Sequence, residues 1–239
     1  MKKFTLFLIF ITSLVITSCE GDFWCLEGDG ILETQERGIT KFSGINVNSN
    51  FDVDVIYSTE RSITVEADQN LQQYILTYVE NGDLMLETDM DRCLTSANPI
   101  KVTVYCPLVE SVISSGSGDV DIFDFEVDYF NVTLSGVGDI SLQNLIIHDN
   151  LDLSLPGSGN FVLDGKASEA QYLLSGSGDI KGKSMRVNSC KTVLSGSGNI
   201  FTWVYNDLEI ILTGSGNVYY YGDPKVIQRV TGSGSVIQY

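Results

Sequence analysis

Through the C-terminal half of the chain, apolar and polar residues alternate in short runs that all stop at the same kind of place. Asn131-Val132-Thr133-Leu134, Leu151-Asp152-Leu153-Ser154-Leu155, Gln171-Tyr172-Leu173-Leu174 and Cys190-Lys191-Thr192-Val193-Leu194 each have period two. That is the pattern of a strand with one buried face. Each run is followed by a hexad close to the form small-Gly-small-Gly-Asp/Asn-aliphatic, and seven copies open at Ser115, Ser135, Pro156, Ser175, Ser195, Thr213 and Thr231. A second strand starts after each hexad, with Val120, Ile140, Phe161, Ile180, Ile200, Val218 and Val236 at one equivalent position. The first glycines of the copies are spaced by 20, 21, 19, 20, 18 and 18 residues. A fixed period of this size means stacked coils.

At roughly 3.3 Å per residue, such a coil holds two or three strands and their corners, and is too short for a strand, a covering helix and a return. Val, Ile, Phe and Tyr fill stretches such as Asp119 to Phe130, without a run of strong helix formers. The predicted fold is all-β: a right-handed parallel β-helix, or β-solenoid, with coils of about 20 residues. The equivalent aliphatic residues should then line up as one apolar ladder in the core.

Glycine is positional here. Gly116, Gly118, Gly136, Gly138, Gly157, Gly159, Gly176, Gly178, Gly196, Gly198, Gly214, Gly216, Gly232 and Gly234 supply most of the 23 in the chain. A bend at the same place in every coil calls for a residue that accepts φ > 0 or lets the next backbone come close, and glycine does both. The residues between the two glycines are serines except for Val137. The following column, Asp119, Asp139, Asn160, Asp179, Asn199, Asn217 and Ser235, holds three carboxylates, three amides and a serine. Calcium bound between turns is one reading of it. A ladder of side chains hydrogen-bonded along the solenoid explains the mixture without a metal, and no cofactor is expected.

Before Ser115 the hexad is absent but the alternation persists, in Phe51 to Tyr57, Ser62 to Glu66 and Ile100 to Val104. Tyr74 to Thr88 alternates around Asn81-Gly82, a strong hairpin signal, and Asp68 to Tyr74 could close a helical turn. With no linker in between, residues 27–239 read as one domain, in which 27–110 is an atypical β capping section and 111–239 carries the repeats.

The N-terminus changes the compartment. Met1-Lys2-Lys3 and the apolar run from Phe4 to Ile16 read as a secretory signal over residues 1–18. Ile16-Thr17-Ser18-Cys19 resembles the bacterial lipobox, which makes Cys19 the lipidated mature N-terminus and residues 19–26 a tether. The protein is then expected at the outer membrane, lipid-anchored, on its periplasmic or cell-surface face. Removing the signal takes away two lysines and no acid, so the net charge goes from −17 to −19. Such a surface repels nucleic acid. A single histidine, His148, rules out a multi-histidine metal site, and it reads as a solvated turn residue. Cys25, Cys93, Cys106 and Cys190 permit several disulfide pairings, with one bridge expected.

The combination of Ser43-Gly44-Ile45-Asn46-Val47 with Phe51-Asp52-Val53, Val65-Glu66-Ala67-Asp68, Asn70-Leu71, Asn81-Gly82, Cys93, Pro99-Ile100-Lys101-Val102 and the Gly-Ser-Gly-Asp coils is similar to a bacterial family. That family is called putative auto-transporter adhesin, head GIN domain, and the resemblance covers about residues 27–239. It implies a secreted or surface β-helical protein, often a lipoprotein, with no catalytic residues to carry over. One departure is that no translocator barrel follows the seventh hexad, so the lipid on Cys19 is expected to do the anchoring.

The leading function is a non-enzymatic envelope module binding a glycan or a protein, with Trp203, Tyr205, Tyr219 and Tyr221 as the candidate ligand-binding rings. A second reading is a polysaccharide-active β-helix enzyme using paired acids such as Asp119 and Asp139. Strands in register lie ~4.8 Å apart at every coil, so such pairs arise in any acidic solenoid. The clustered Arg or Lys that a lyase needs are scarce along the coils. A third is a structural unit that assembles as a homo-oligomer through strand edges at the solenoid end.

Overall fold

The computed structural model describes residues 25–89, 94–96 and 98–239; the signal segment, Cys19 and Cys93 lie outside the described residues. The chain is a parallel β-solenoid of about 20-residue coils whose strands stack into three ladders. Among the described residues the sole helical element is one 3-10 turn, Gln72–Tyr74, inside the stretch where a helical turn was expected.

The first ladder enters the glycine turns. In it Asn131, Asp152, Gln171, Lys191, Glu209 and Ile227 stand opposite one another in successive coils. The second leaves the turns, and carries Val120, Ile140, Phe161, Ile180, Ile200, Val218 and Val236 in register as the sequence predicts. A third closes the coil, with Val127, Ile147, Ala167, Val187 and Val204 as its buried column. The apolar core runs continuously from Phe42 to Val218.

Stacking does not follow chain order at the start. Gly44–Asn48 pairs on one side with Asp83–Thr88 and on the other with Ser111–Ser114. Asp52–Tyr57 lies likewise between Lys101–Cys106 and Val120–Phe123. The chain therefore lays one coil, steps outward to build the end of the solenoid, and crosses back to continue on the inner side. The outer coil is closed by antiparallel strands, Ile75–Glu80 on Asp83–Thr88 and Ser62–Asp68 on Lys101–Cys106, with Leu32–Arg37 outside the latter. Asn81 at φ 52° and Gly82 at φ 93° form the expected two-residue hairpin, whose primed turn needs both values positive.

At the hexads the two reasons for glycine separate. Positive φ among glycines occurs at Gly30, Gly82, Gly165 and Gly222, and at none of the fourteen repeat positions. A Cβ placed on Gly176 would instead fall on the carbonyl oxygen of Gly157 in the preceding coil. That carbonyl accepts a hydrogen bond from the Ser177 N–H at 3.1 Å, and Ser197 to Gly176, Ser215 to Gly196 and Ser233 to Gly214 repeat it at 3.0, 3.0 and 3.1 Å. Glycine lets turn stack on turn within hydrogen-bonding distance. The Asp/Asn column adds a second line of bonds: the backbone N–H of Asn199 donates to Asp179 Oδ1 at 2.7 Å, that of Asn217 to Asn199 Oδ1 at 3.0 Å and that of Ser235 to Asn217 Oδ1 at 2.9 Å.

Cys25 is disulfide-bonded, whereas Cys106 and Cys190 are buried free thiols. Burial pushes their pKa values up to about 11 and about 12. Asp68, also buried, accepts from Ser96 Oγ and, at 2.7 Å, from Asn98 Nδ2. The Ser96 bond foremost, with that of Asn98, holds its carboxyl below the ordinary value.

Two outcomes follow from these contacts. Gly176→Val should cost at least about 3 kcal/mol in urea unfolding, because a backbone neighbour cannot move aside, whereas Ser177→Val on the exposed crest of the same turn should stay within about 0.5 kcal/mol. For Asp68, a depressed folded pKa means that its contribution is present above the unfolded value of about 4 and is lost as pH falls through the folded one. The melting temperature of the wild type should therefore drop more steeply below about pH 4 than that of Asp68→Ala, as followed by circular dichroism.

Candidate functional site

Alternation along Ile200–Leu212 buries Ile200, Thr202 and Val204 and turns Phe201, Trp203 and Tyr205 outward. Parallel pairing with Val218–Tyr221 then sets Phe201 opposite Tyr219 and Trp203 opposite Tyr221. Phe201 and Tyr219 stack at 4.7 Å between ring centroids with planes 11° apart. Tyr221 stacks on Tyr239 at 5.5 Å, and Trp203 meets Tyr205 edge-on at 4.2 Å. All four rings singled out in the sequence thus lie on one aromatic ribbon across the last coils of the solenoid, lengthened by Phe201 and Tyr239. Tyr205 and Tyr239 are its most open members, 51% and 70% exposed.

Two cations sit on this ribbon. The Arg186 guanidinium lies 4.4 Å from the centre of the Trp203 ring, and the Lys183 ammonium 4.9 Å from that of Tyr221. Both placements come from a register shift: Gly182 pairs with Thr202, but Arg186 pairs with Trp203. The three residues Lys183, Ser184 and Met185 have no counterpart in the next coil and form a shoulder at the corner between the second and third ladders.

Beside the ribbon, Tyr205 and Arg186 also line an open groove of about 670 Å³ on the third ladder, with Asn144, His148, Asp164 and Lys166 among its other walls. The corner above it turns through left-handed backbone, Asp124 at φ 66° and Asn144 at φ 55°, with Asn144 Nδ2 donating to Asp124 Oδ1 at 2.7 Å. Short polar side chains tolerate this conformation. His148 is not in a turn: it lies within the strand Ile140–Leu155, because the ladder continues through the corner, and its Nε2 is 2.8 Å from Glu126 Oε1.

The acids considered for catalysis are engaged elsewhere. Asp119 Oδ1 accepts from the Asp139 backbone N–H at 2.8 Å, and Asp139 Oδ1 accepts from both the backbone and side-chain nitrogens of Asn160. They are rungs of the turn ladder. Among the described residues no group of three or more His, Cys, Asp or Glu side chains converges as a metal site would require. Nor is any described helix long and apolar enough to cross a membrane.

The sequence missed Phe201, Tyr239, Lys183 and Arg186. Phe201 and Tyr219 each follow the aliphatic marker of their coil by one residue, so counting from Ile200 and Val218 finds the stacked pair. Arg186 is hidden by the shift in register.

The family model of the putative auto-transporter adhesin, head GIN domain, matches residues 41–224. The chain belongs to this family. Among solved structures, a putative adhesin from Bacteroides fragilis is 22% identical, with 90% of this chain and 100% of that one covered and a TM-score of 0.84. A putative lipid binding protein from Parabacteroides distasonis is 24% identical over 90% of this chain and 100% of its own, with a TM-score of 0.72. A putative adhesin from Parabacteroides merdae, 21% identical, gives 0.68 over 90% and 98%. At these identities the likeness is one of fold. No curated protein matches the chain. The family carries an adhesin-like description, which fits a surface or cell-envelope protein with a non-enzymatic role.

Proposed function

We propose that this head GIN family member is a non-enzymatic binding module of the cell envelope, anchored by lipid on Cys19, that holds a glycan on the ribbon of Phe201, Trp203, Tyr205, Tyr219, Tyr221 and Tyr239. The observation that supports this reading is the array of outward-facing rings, half-buried except for the exposed Tyr205 and Tyr239, beside an open groove with polar walls at Asn144, His148, Asp164 and Lys166. Flat rings offer contact area at low entropic cost and stack on the apolar faces of sugars, while the groove supplies hydrogen-bonding groups. Catalysis is disfavoured because the adjacent acids of the repeat each use Oδ1 to accept from the backbone of the next coil. An adhesin description in the family agrees with holding a ligand and not with transforming it.

On a glycan array the wild-type chain should retain a defined set of sugars, and Trp203→Ala or Tyr221→Ala should each weaken retention about three- to tenfold, as loss of one stacking partner implies. An array that retains nothing, or variants that bind as the wild type does, would sink the glycan reading. For the anchor, Cys19→Ala should move the protein from the membrane pellet to the soluble fraction on cell fractionation. A variant that stays in the pellet would remove Cys19 from this scheme.

A further inference from the structure

The chain carries 31 acidic and 14 basic residues, yet from Ile180 to Leu194 it holds Lys181, Lys183, Arg186 and Lys191 and not one acid. Three of these four cations lie at the ribbon and groove. Lys181 stands opposite Phe201, Lys183 lies over Tyr221, and Arg186 lies over Trp203. Lys166 of the preceding coil stands directly opposite Arg186 in the third ladder, and both line the groove. Only Lys191, on the far ladder, has an ion-pair partner, Glu209 at 3.2 Å. Among the described residues no carboxylate comes within ion-pair distance of Lys166, Lys181, Lys183 or Arg186, although Asp164 shares the groove.

Like charges directly opposite on neighbouring strands repel. In a chain with more than twice as many acids as bases, leaving four exposed cations together without an ion-pair partner is an arrangement that an incoming anion would relieve. Arg186 is also oriented: its Nη1 donates to the Lys183 carbonyl at 3.2 Å while its plane rests near the Trp203 ring. A guanidinium held this way presents its remaining N–H groups as a fork suited to a carboxylate or sulfate.

Building on the glycan reading above, we infer that the ligand is a polyanionic glycan, whose rings pack on the aromatic ribbon while their carboxylate or sulfate groups meet Lys166, Lys181, Lys183 and Arg186. The acidic remainder of the surface repels such a polymer everywhere else, so it is confined to this face and to one path across it.

The test is binding of the purified full chain at low and moderate salt to polygalacturonate, a polyuronate; to dextran sulfate, a sulfated glucan; to dextran, its neutral counterpart; and to vesicles containing phosphatidylglycerol. At least one polyanion should bind about tenfold or more tightly than dextran, with affinity falling as salt rises, as charge-assisted contacts require. Which of the two binds separates carboxylate from sulfate recognition. The double variant Lys166→Gln/Arg186→Gln should lose the preference for the polyanion at an unchanged melting temperature, and Trp203→Ala should weaken every bound glycan alike. Dextran bound as tightly as the polyanions, or a preference untouched in the double variant, would overturn the anionic inference and leave the glycan reading standing. No binding to any of the three polymers would overturn both, and binding confined to the vesicles would do so in favour of a lipid headgroup.

Discussion

Everything in this protein depends on how closely one glycine turn can sit on the next. The carbonyl of each turn accepts an N–H from the following coil, at a separation that leaves no room for a Cβ on the glycine between them. This fixes the rise of the solenoid at the strand spacing of ~4.8 Å and thereby fixes the registration of all three ladders. A buried aliphatic column, a column of Asp and Asn and an outward column of rings are then consequences of one repeated offset. The Asp/Asn ladder reinforces the same contact from the side chain, with oxygens of each coil taking up backbone donors of the next.

The repeat half was legible because its chemistry recurs. Period-two alternation, the spacing of the glycines and the aliphatic marker after each hexad leave little choice but a stack of parallel strands. Less could be read where contacts span longer separations. The strands around Phe51, Ser62 and Ile100 and the Asn81-Gly82 hairpin are visible locally, but nothing in their pattern tells that Gly44–Asn48 lies between Asp83–Thr88 and Ser111–Ser114. That order is set by which apolar faces remain uncovered, a property of the assembled core.

The binding face divides the same way. Trp203, Tyr205, Tyr219 and Tyr221 stand out as residues, and their meeting follows from the coil period. The cations are sparse along the chain, whereas the shoulder at Lys183 to Met185 brings them together in space. A register shift is created by tertiary packing and has no local signature. His148 was misplaced for a related reason: Asp149-Asn150 resembles a turn, yet the ladder runs through it.

The interleaved start has a consequence for how the chain folds. In the repeats each strand meets one laid down about 20 residues earlier, so coils can add one after another with short loops to close. The first coil differs, because Gly44 waits for Asp83 on one side and for Ser111 on the other, and Asn48 reaches Ser115 across 67 residues. Closing loops of that length costs more chain entropy than closing those of the repeats. The outer end of the solenoid is thus the part whose assembly spans the longest separations in the chain, whereas each later repeat finds its partner strand in the coil just before it.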